Sequence, residues 1–417
     1  MRRLVILGSG VTALAVVRSA HRMGVIPVLV DGKRGIATAS RLARVAVLPG
    51  RRQGDVMELL ASIGRIEPAA LIATSDAWVR FVAACRPQLD LAYRRVLHPP
   101  NRALDVCLSK EKFGAWCAAH ALPAPARYPV GAGFRPDDPA LRFPLLLRPD
   151  ETLHSNPESG LPKAAEAASP AELARLLEEY RREGAEPVLS QSLLGRKLRQ
   201  YSVGLARTRG RMMTFVTRKL RPLPQACSTG TLVETVEQPE VEALARRAAE
   251  LLDYEGIAEI EVLHDETSGE NFLIEINARP WQQFALAAAT GHDLLRFVLS
   301  EGPAAPGPAS PGRAGLWLDF KADLYACFGR EGGLVRAGQL AFADYLRTLF
   351  RANVFARWST ADPGPFCRDA LAFVAARWRR LRSRPGVPAG LALSPRRPVE
   401  RRLQTSLVRG SPEALRP

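Results

Sequence analysis

Several features that would assign a class at once are missing from this chain. No run approaches the ~20 consecutive apolar residues needed to cross a bilayer, so no membrane span is expected. The six cysteines (Cys85, Cys107, Cys117, Cys227, Cys327 and Cys367) include no C-x-x-C pair. That argues against a zinc site or disulfide framework and fits a reducing, cytoplasmic setting. The apolar run behind Met1-Arg2-Arg3 is short and gives way at Gly8-Ser9-Gly10 to a helix-like stretch, so it reads as a buried strand rather than a secretion signal. Gly8-Ser9-Gly10 comes next, but residue 13 is alanine and the full G-x-G-x-x-G is absent. A nicotinamide-binding oxidoreductase stays open as an alternative, without a catalytic residue set behind it. The glycine turn reads better as one that lets the backbone approach an anionic substrate group at a helix N-terminus.

What is present in excess is arginine. The formal net charge is +16, and residues 301–417 carry 19 Lys+Arg against 9 Asp+Glu. The arginines stand among abundant Ala, Pro and Gly, a composition that codon bias can produce. No aromatic-interleaved or helix-turn-helix signature accompanies them, which argues against a nucleic-acid partner. At 417 residues the chain has room for two to three domains.

Strand and helix patterns alternate over the first hundred residues. Residues 4–7, 25–30, 44–48 and 69–73 read as strands; 12–23 and 54–64 read as helices. Such alternation predicts a parallel, doubly wound sheet with ligands at the carboxyl ends of its strands. Beyond Pro99-Pro100-Asn101, helices are expected over 109–120, 170–183, 239–252 and 282–299. Strands are expected over 143–148 and 186–191, with a hairpin over 200–218 turning at Thr208–Gly210. A Pro/Gly/Ala linker spans 303–315, the remainder reads as mainly helical, and the tail after Pro385 as disordered.

The segment from Glu259 to Pro280 carries the chemistry. Strand side chains alternate faces, so Glu259 and Glu261 share one face, as do Glu275, Asn277 and Arg279. Ile260, Val262, Ile274 and Ile276 take the other. A hairpin through Asp265–Glu270 brings the polar faces together and sets hard oxygen donors beside an arginine. That suits Mg²⁺ with phosphates; an amphipathic hairpin with a solvated face is the bland alternative.

Leu-Ile-Glu275-Ile-Asn277-Ala-Arg279-Pro resembles the metal-binding strand of the ATP-grasp superfamily, and Ile-Glu261-Val-Leu-His-Asp resembles its partner strand. The resemblance extends over roughly 1–300. It implies an α/β, ATP-grasp fold: an N-terminal doubly wound pre-ATP-grasp domain (1–100), an N-subdomain with a lid (101–190) and a catalytic α+β subdomain (191–302). A mainly helical C-terminal extension (303–385) and the tail (386–417) would follow. Glu261, Glu275 and Asn277 become metal ligands, with Glu259 only a neighbour. Ser109-Lys110-Glu-Lys-Phe113 looks like the family's Asp-Lys helix, bringing Lys110 to the phosphates. Phe143–Pro149 matches a strand that ordinarily ends Lys-Pro, with Arg148 replacing the lysine and Lys163 a substitute phosphate contact. Glu186–Gly195 matches the hinge strand that reads adenine, placing Gln191 and Leu193 there. Gln191 and Gln200 stand where Glu is frequent. Thr217-Arg-Lys219-Leu-Arg221-Pro222 fits a basic segment that meets phosphate and acyl intermediate, with Lys219 and Arg221 on one face of an extended strand.

By the same resemblance the chain is an ATP- and Mg²⁺-dependent (or Mn²⁺-dependent) carboxylate–amine ligase, similar to the D-aspartate ligase-like branch. Carbamoyl-phosphate synthase-like and biotin carboxylase-like readings fit less well for want of associated domains. Lys219, Arg221 and Arg279 are the catalytic candidates; a small carboxylate and an amine are the substrates, and a homodimer is compatible. A degenerate relative that binds nucleotide without turnover is the main alternative, favoured by Arg148, Gln191 and Gln200. In the C-terminal part, Phe342, Leu346, Leu349 and Phe350 fall on one helical face, and a basic helix with Trp378 follows over 370–384. They read as helices packed on the core or, alternatively, as a peripheral surface for anionic lipid or a lipid-linked substrate.

Overall fold

The computed structural model describes residues 2–48, 52–66, 69–150, 161–162, 164–223, 229–300, 314–329 and 333–382. Lys163, most of the expected linker and the expected disordered tail lie outside them. The chain divides into two compact units, one from Met1–Val96 with Arg357–Pro417, the other from Leu97–Ala356. Among the described residues no helix is long and apolar enough to cross a membrane.

The first unit is the doubly wound sheet the alternation predicts. Its elements are β1 (Arg3–Leu7), α1 (Val11–Arg22), β2 (Ile26–Asp31), β3 (Arg44–Val47), α2 (Gln53–Ile66), β4 (Ala69–Ala73), α3 (Asp76–Ala84), α4 (Arg86–Ala92) and β5 (Arg95–Val96). All strands run parallel in the order β3-β2-β1-β4-β5. A parallel strand covered on both faces reads as a continuous apolar run, and Leu4–Leu7 and Ala69–Ala73 are fully buried. At Gly8 φ is +114°, and a Cβ there would stand 2.5 Å from Thr74 Oγ1, so the turn requires glycine. The loop then closes on itself. Ser9 Oγ donates to Asp31 (2.5 Å) and accepts from Gly35 N (3.0 Å).

The chain's last described segment belongs to this unit. Asp362, fully buried, accepts from Arg18 Nε (3.3 Å), Ser40 Oγ (2.9 Å) and Arg41 N (3.2 Å). The helix Gly364–Arg382 then starts against Ala39, whose carbonyl leaves no room for a side chain at Gly364.

The second unit contains two sheets. α5 (Asn101–Leu108) and α6 (Lys110–Ala119) lead into β6 (Arg127–Tyr128), β7 (Leu145–Pro149), β8 (Ala165–Ala167), α7 (Pro170–Arg182) and β9 (Pro187–Gln191). These strands form an antiparallel sheet in the order β6-β9-β7-β8, with the apolar face of α7 (Leu173, Leu176, Leu177, Tyr180) closing its core. The larger sheet is built from β10 (Leu198–Thr208), β11 (Arg211–Leu223), β12 (Thr229–Val236), α8 (Pro239–Leu251), β13 (Gly256–Asp265), β14 (Asn271–Asn277), α9 (Phe284–Ala289), α10 (Leu294–Leu299), β15 (Leu316–Leu318), α11 (Phe320–Phe328), α12 (Phe342–Arg351) and β16 (Val354–Phe355). Its strand order is β14-β13-β10-β11-β12-β15-β16. Arg209 and Gly210 both have positive φ, the conformation a two-residue hairpin demands between β10 and β11.

Three expectations change. The helix read over 282–299 is two short helices, because Gly291 (φ +94°) ends one and Asp293 caps the next by accepting from Arg296 N. The stretch read as mainly helical after 303 also supplies β15 and β16 to the sheet. In α12 the buried residue is Tyr345, whereas Phe342 and Phe350 are exposed.

Gly204 in β10 is a packing constraint beside the polar face of the sheet. A Cβ there would lie 2.2 Å from the Phe215 ring and 2.4 Å from the Trp281 ring, and these rings stack at 5.9 Å. Gly204→Ala is expected to cost about 1–3 kcal/mol through overpacking, measured as a lower urea midpoint at unchanged slope.

Candidate active site

The site is one face of the large sheet, and its composition follows from register. β13 pairs antiparallel with β14 so that Glu261 stands opposite Glu275 and Glu259 opposite Asn277. β10 lies on the other side of β13, with Ser202 opposite Glu261 and Gln200 opposite Leu263. Directly opposed strand residues share a face. Glu259, Glu261, Glu275, Asn277, Gln200 and Ser202 therefore do so, joined from β11 by Thr217, opposite Ser202, and by Lys219 two residues on. The reverse face is apolar: Ile260, Val262 and Ile276 are buried. A register shift after Glu261 alters one expectation there. Leu273, fully buried, pairs with Val262, and Ile274 is the extra, half-buried residue of a bulge.

Hydrogen bonds tie the polar face together. Lys219 Nζ lies 3.0 Å from Glu261 Oε1, and its side chain is only 4% exposed. Asn277 Nδ2 donates to Glu259 Oε2 (3.2 Å) and to Glu275 Oε1 (3.1 Å), while its Oδ1 accepts from Arg279 Nη2 (3.3 Å). Burial pushes the Glu259 and Glu261 carboxyls up, against the attraction of Lys219. For Lys219, burial acts to lower the ammonium, but Glu261, Glu259 and Glu275 together more than offset it and the group is raised. Anions outnumber cations here.

Among the described residues no three His, Cys, Asp or Glu side chains are gathered closely enough to hold a metal on their own. Glu261 and Glu275 nevertheless face each other, and the Asn277 amide oxygen keeps a second lone pair. Two carboxylates and an amide oxygen, completed by water and phosphate oxygens, are a donor set that fits Mg²⁺.

The remaining candidates fall in three places. Lys110 opens α6 and donates to the carbonyls of Pro149 and Asp150 (both 3.0 Å) at the end of β7. Asp150 in turn accepts from Ser109 Oγ and Glu111 N. Arg148 lies in β7 opposite Val188, near enough to Arg127 to add to the lowering that burial imposes on it. Gln191 ends β9 with its N–H on Ala126 O (2.7 Å), and Leu193 is buried just beyond.

Arg221 departs from the expected geometry. Register shifts at Lys219/Arg221 and Arg221/Pro222 put Lys219 opposite Val233 but Arg221 opposite Leu232. Since Leu232 and Val233 alternate faces, Arg221 emerges on the side away from Lys219. There it meets Asp323 (3.1 Å), Cys327 Sγ (3.2 Å) and the Tyr345 ring (5.5 Å), all buried.

Two supporting residues had no sequence signal. Buried His98 Nδ1 lies 3.0 Å from Ala278 O, between Asn277 and Arg279, and Gln283 Nε2 donates to Gly230 O (3.0 Å), beside the stem of Lys219. Their partners lie 180 and 53 residues away.

No protein-family model matches the chain, and no curated protein sequence does. Solved structures do. An N5-carboxyaminoimidazole synthetase from Staphylococcus aureus complexed with ADP is similar at TM-score 0.61 and 12% identity over 80% of this chain and 86% of that one. The biotin carboxylase domain dimer of the Hydrogenobacter thermophilus 2-oxoglutarate carboxylase, complexed with MgADP, ADP and bicarbonate, is similar at TM-score 0.58 and 14% identity over 76% and 73%. A biotin carboxylase complex from Campylobacter jejuni gives TM-score 0.58 and 14% identity over 76% and 74%. At such identity the likeness is one of fold: the chain has the α/β ATP-grasp fold that its strand motifs imply.

The burial of Arg221 against Asp323 gives a stability test. Asp323→Ala strands a buried charge and is expected to cost about 3–5 kcal/mol, whereas Arg221→Met with Asp323→Leu costs far less. Denaturant unfolding of the single and double variants measures the difference.

Proposed function

We propose that this chain is an ATP-dependent carboxylate–amine ligase of the D-aspartate ligase-like kind. The observation that carries the reading is the single face on which Glu261, Glu275 and Asn277 stand with Lys219 and Arg279. With Glu259 ionised as well, three carboxylates meet two cations, an excess of one negative charge. A divalent cation reverses the sign and makes the face a receptor for polyphosphate. Glu261, Glu275 and Asn277 would hold Mg²⁺, which would supply Lewis-acid stabilisation of phosphate charge.

The chain's own residues then position the reactants. Lys219 and Arg279 take up the charge spread over the transferred phosphoryl group, a task of orientation and electrostatics rather than covalent help. Lys110, Arg148 and Lys163 are assigned to the phosphates, and Gln191, Leu193 and Gln200 to adenine and ribose. A substrate carboxylate oxygen bonds to the γ-phosphorus as the bond to ADP breaks. The amine nitrogen then bonds to the acyl carbon, phosphate leaves, and the amine proton passes to solvent. Arg221, turned toward Asp323, is withdrawn from this set.

Phosphate release from Mg²⁺-ATP over a panel of carboxylate–amine pairs, with product masses, tests the reading. Glu275→Gln and Lys219→Met are each expected to lower turnover at least ~10²-fold, the scale for removing a preorganised charge partner. The same turnover in Glu275→Gln as in the parent protein would sink the assignment. A nucleotide-binding protein without turnover is the second reading, favoured by Lys110, whose ammonium is engaged by the Pro149 and Asp150 carbonyls. Calorimetric binding of Mg²⁺-ATP with no phosphate release across the panel would favour it.

A peripheral anionic-lipid contact is a further part of the proposal, supported by the helix Gly364–Arg382. Leu371, Val374 and Trp378 are exposed at a spacing that puts them on one helical face, and Arg379 is exposed beside them. Leu371→Glu with Trp378→Glu is expected to abolish co-sedimentation of the full chain with phosphatidylserine vesicles. Unchanged sedimentation would end the idea.

A further inference from the structure

One carboxylate on this face is used by none of the roles above. Glu259 is only 5% exposed and stands directly opposite Asn277. It is not among the ligands assigned above, and it accepts a hydrogen bond from Asn277 Nδ2 at 3.2 Å. The same NH₂ group donates to Glu275 Oε1 at 3.1 Å.

An asparagine amide has nearly the same shape either way round, and only its partners decide which end is oxygen. An ionised carboxylate accepts hydrogen bonds and donates none. Facing Glu259 and Glu275, the Asn277 amide keeps both hydrogen bonds only with its NH₂ group toward them. Turned over, its oxygen would oppose two carboxylates. The oxygen is therefore held on the side where Arg279 Nη2 reaches it at 3.3 Å. Of the two acceptors, Glu275 is the one whose lone pairs a metal would take. Glu259 is the acceptor that remains.

We propose that Glu259 is a positioning residue, which fixes the Asn277 amide with its oxygen turned toward the ion and so completes the metal site without touching it. This rests on the assignment of Glu261, Glu275 and Asn277 as ligands, and the test separates the two claims. The readout is Mn²⁺ affinity of the full chain in the presence of a non-hydrolysable ATP analogue, followed by the electron paramagnetic resonance of free Mn²⁺.

Glu275→Gln examines the ligand assignment; Mn²⁺ binding equal to that of the parent protein would remove the ground for both claims. Given its loss there, Glu259→Leu is expected to weaken Mn²⁺ by about 10–100-fold, the scale for groups that orient metal ligands. Glu259→Gln, whose amide oxygen still accepts from Asn277, is expected to stay within about threefold of the parent. In an Asn277→Asp background the ligand is symmetric and has no orientation to hold. There Glu259→Leu is expected to cause no further weakening. A structural role alone would lower the melting temperature equally in both backgrounds and leave Mn²⁺ affinity unchanged. Should Glu259→Leu not fold, Glu259→Ala replaces it. Parent-like Mn²⁺ affinity in the Leu or Ala variant overturns the proposal, and so does equal weakening by Gln and Leu.

Discussion

Three carboxylates crowded on one half-buried face cannot all stay ionised unless cations stand beside them, and the large sheet is organised around that constraint. Lys219 answers it most directly, with its ammonium 3.0 Å from Glu261 and its stem sealed off from water. The directions of the shifts report the imbalance. Burial still wins at Glu259 and Glu261, which are raised despite the lysine. At Lys219 burial loses, because one cation faces three anions. Such a face favours a divalent ion and disfavours a bare anion.

The same strand shows how a one-residue irregularity allocates charge. Had β11 continued regularly past Lys219, Arg221 would have joined the site and roughly balanced the carboxylates. The bulge at Leu220 turns it away to pair with Asp323, where Thr231 and Cys327 complete a buried polar cluster. That cluster joins β11 and β12 to α11, and the Tyr345 ring over Arg221 adds α12. The C-terminal part is thus anchored to the large sheet by an arginine whose local motif assigned it to the candidate site. β15 and β16 extend the sheet further from the same part of the chain.

Legibility varied with the range of the interaction. Elements written in local periodicity came through: Ala69–Ala73 as a strand, Pro170–Arg182 as a helix, the turn at Arg209-Gly210. That the strands of Glu261 and Glu275 meet in a hairpin was also readable, since a short turn joins them, although the pairing set at the turn (Val262 with Leu273) would by itself put Ile274 opposite Glu261. The bulge at Ile274 was not, because nothing in Leu-Ile-Glu marks which residue is extra. The break in the helix read over 282–299 was written in Gly291 and Asp293, but the apolar spacing around them masked it. His98 and Gln283 are single polar residues whose partners lie far off in the chain.

The sequence by itself determined the kind of fold and the residue types on its polar face, because strand alternation and the Glu-x-Asn-x-Arg string are local and survive any packing of the rest. Only the tertiary structure decided which charges face which. It brought Lys219 across β10 to Glu261, sent Arg221 to Asp323, set Lys110 on the carbonyls of Pro149 and Asp150, and placed Glu259 behind Asn277. The pairing of Lys219 with Glu261 and of Arg221 with Asp323 depends on register between strands that are not neighbours in a local motif, and on a bulge in β11. A shift of one residue there exchanges the two faces of a strand, and no local pattern in this sequence specifies it.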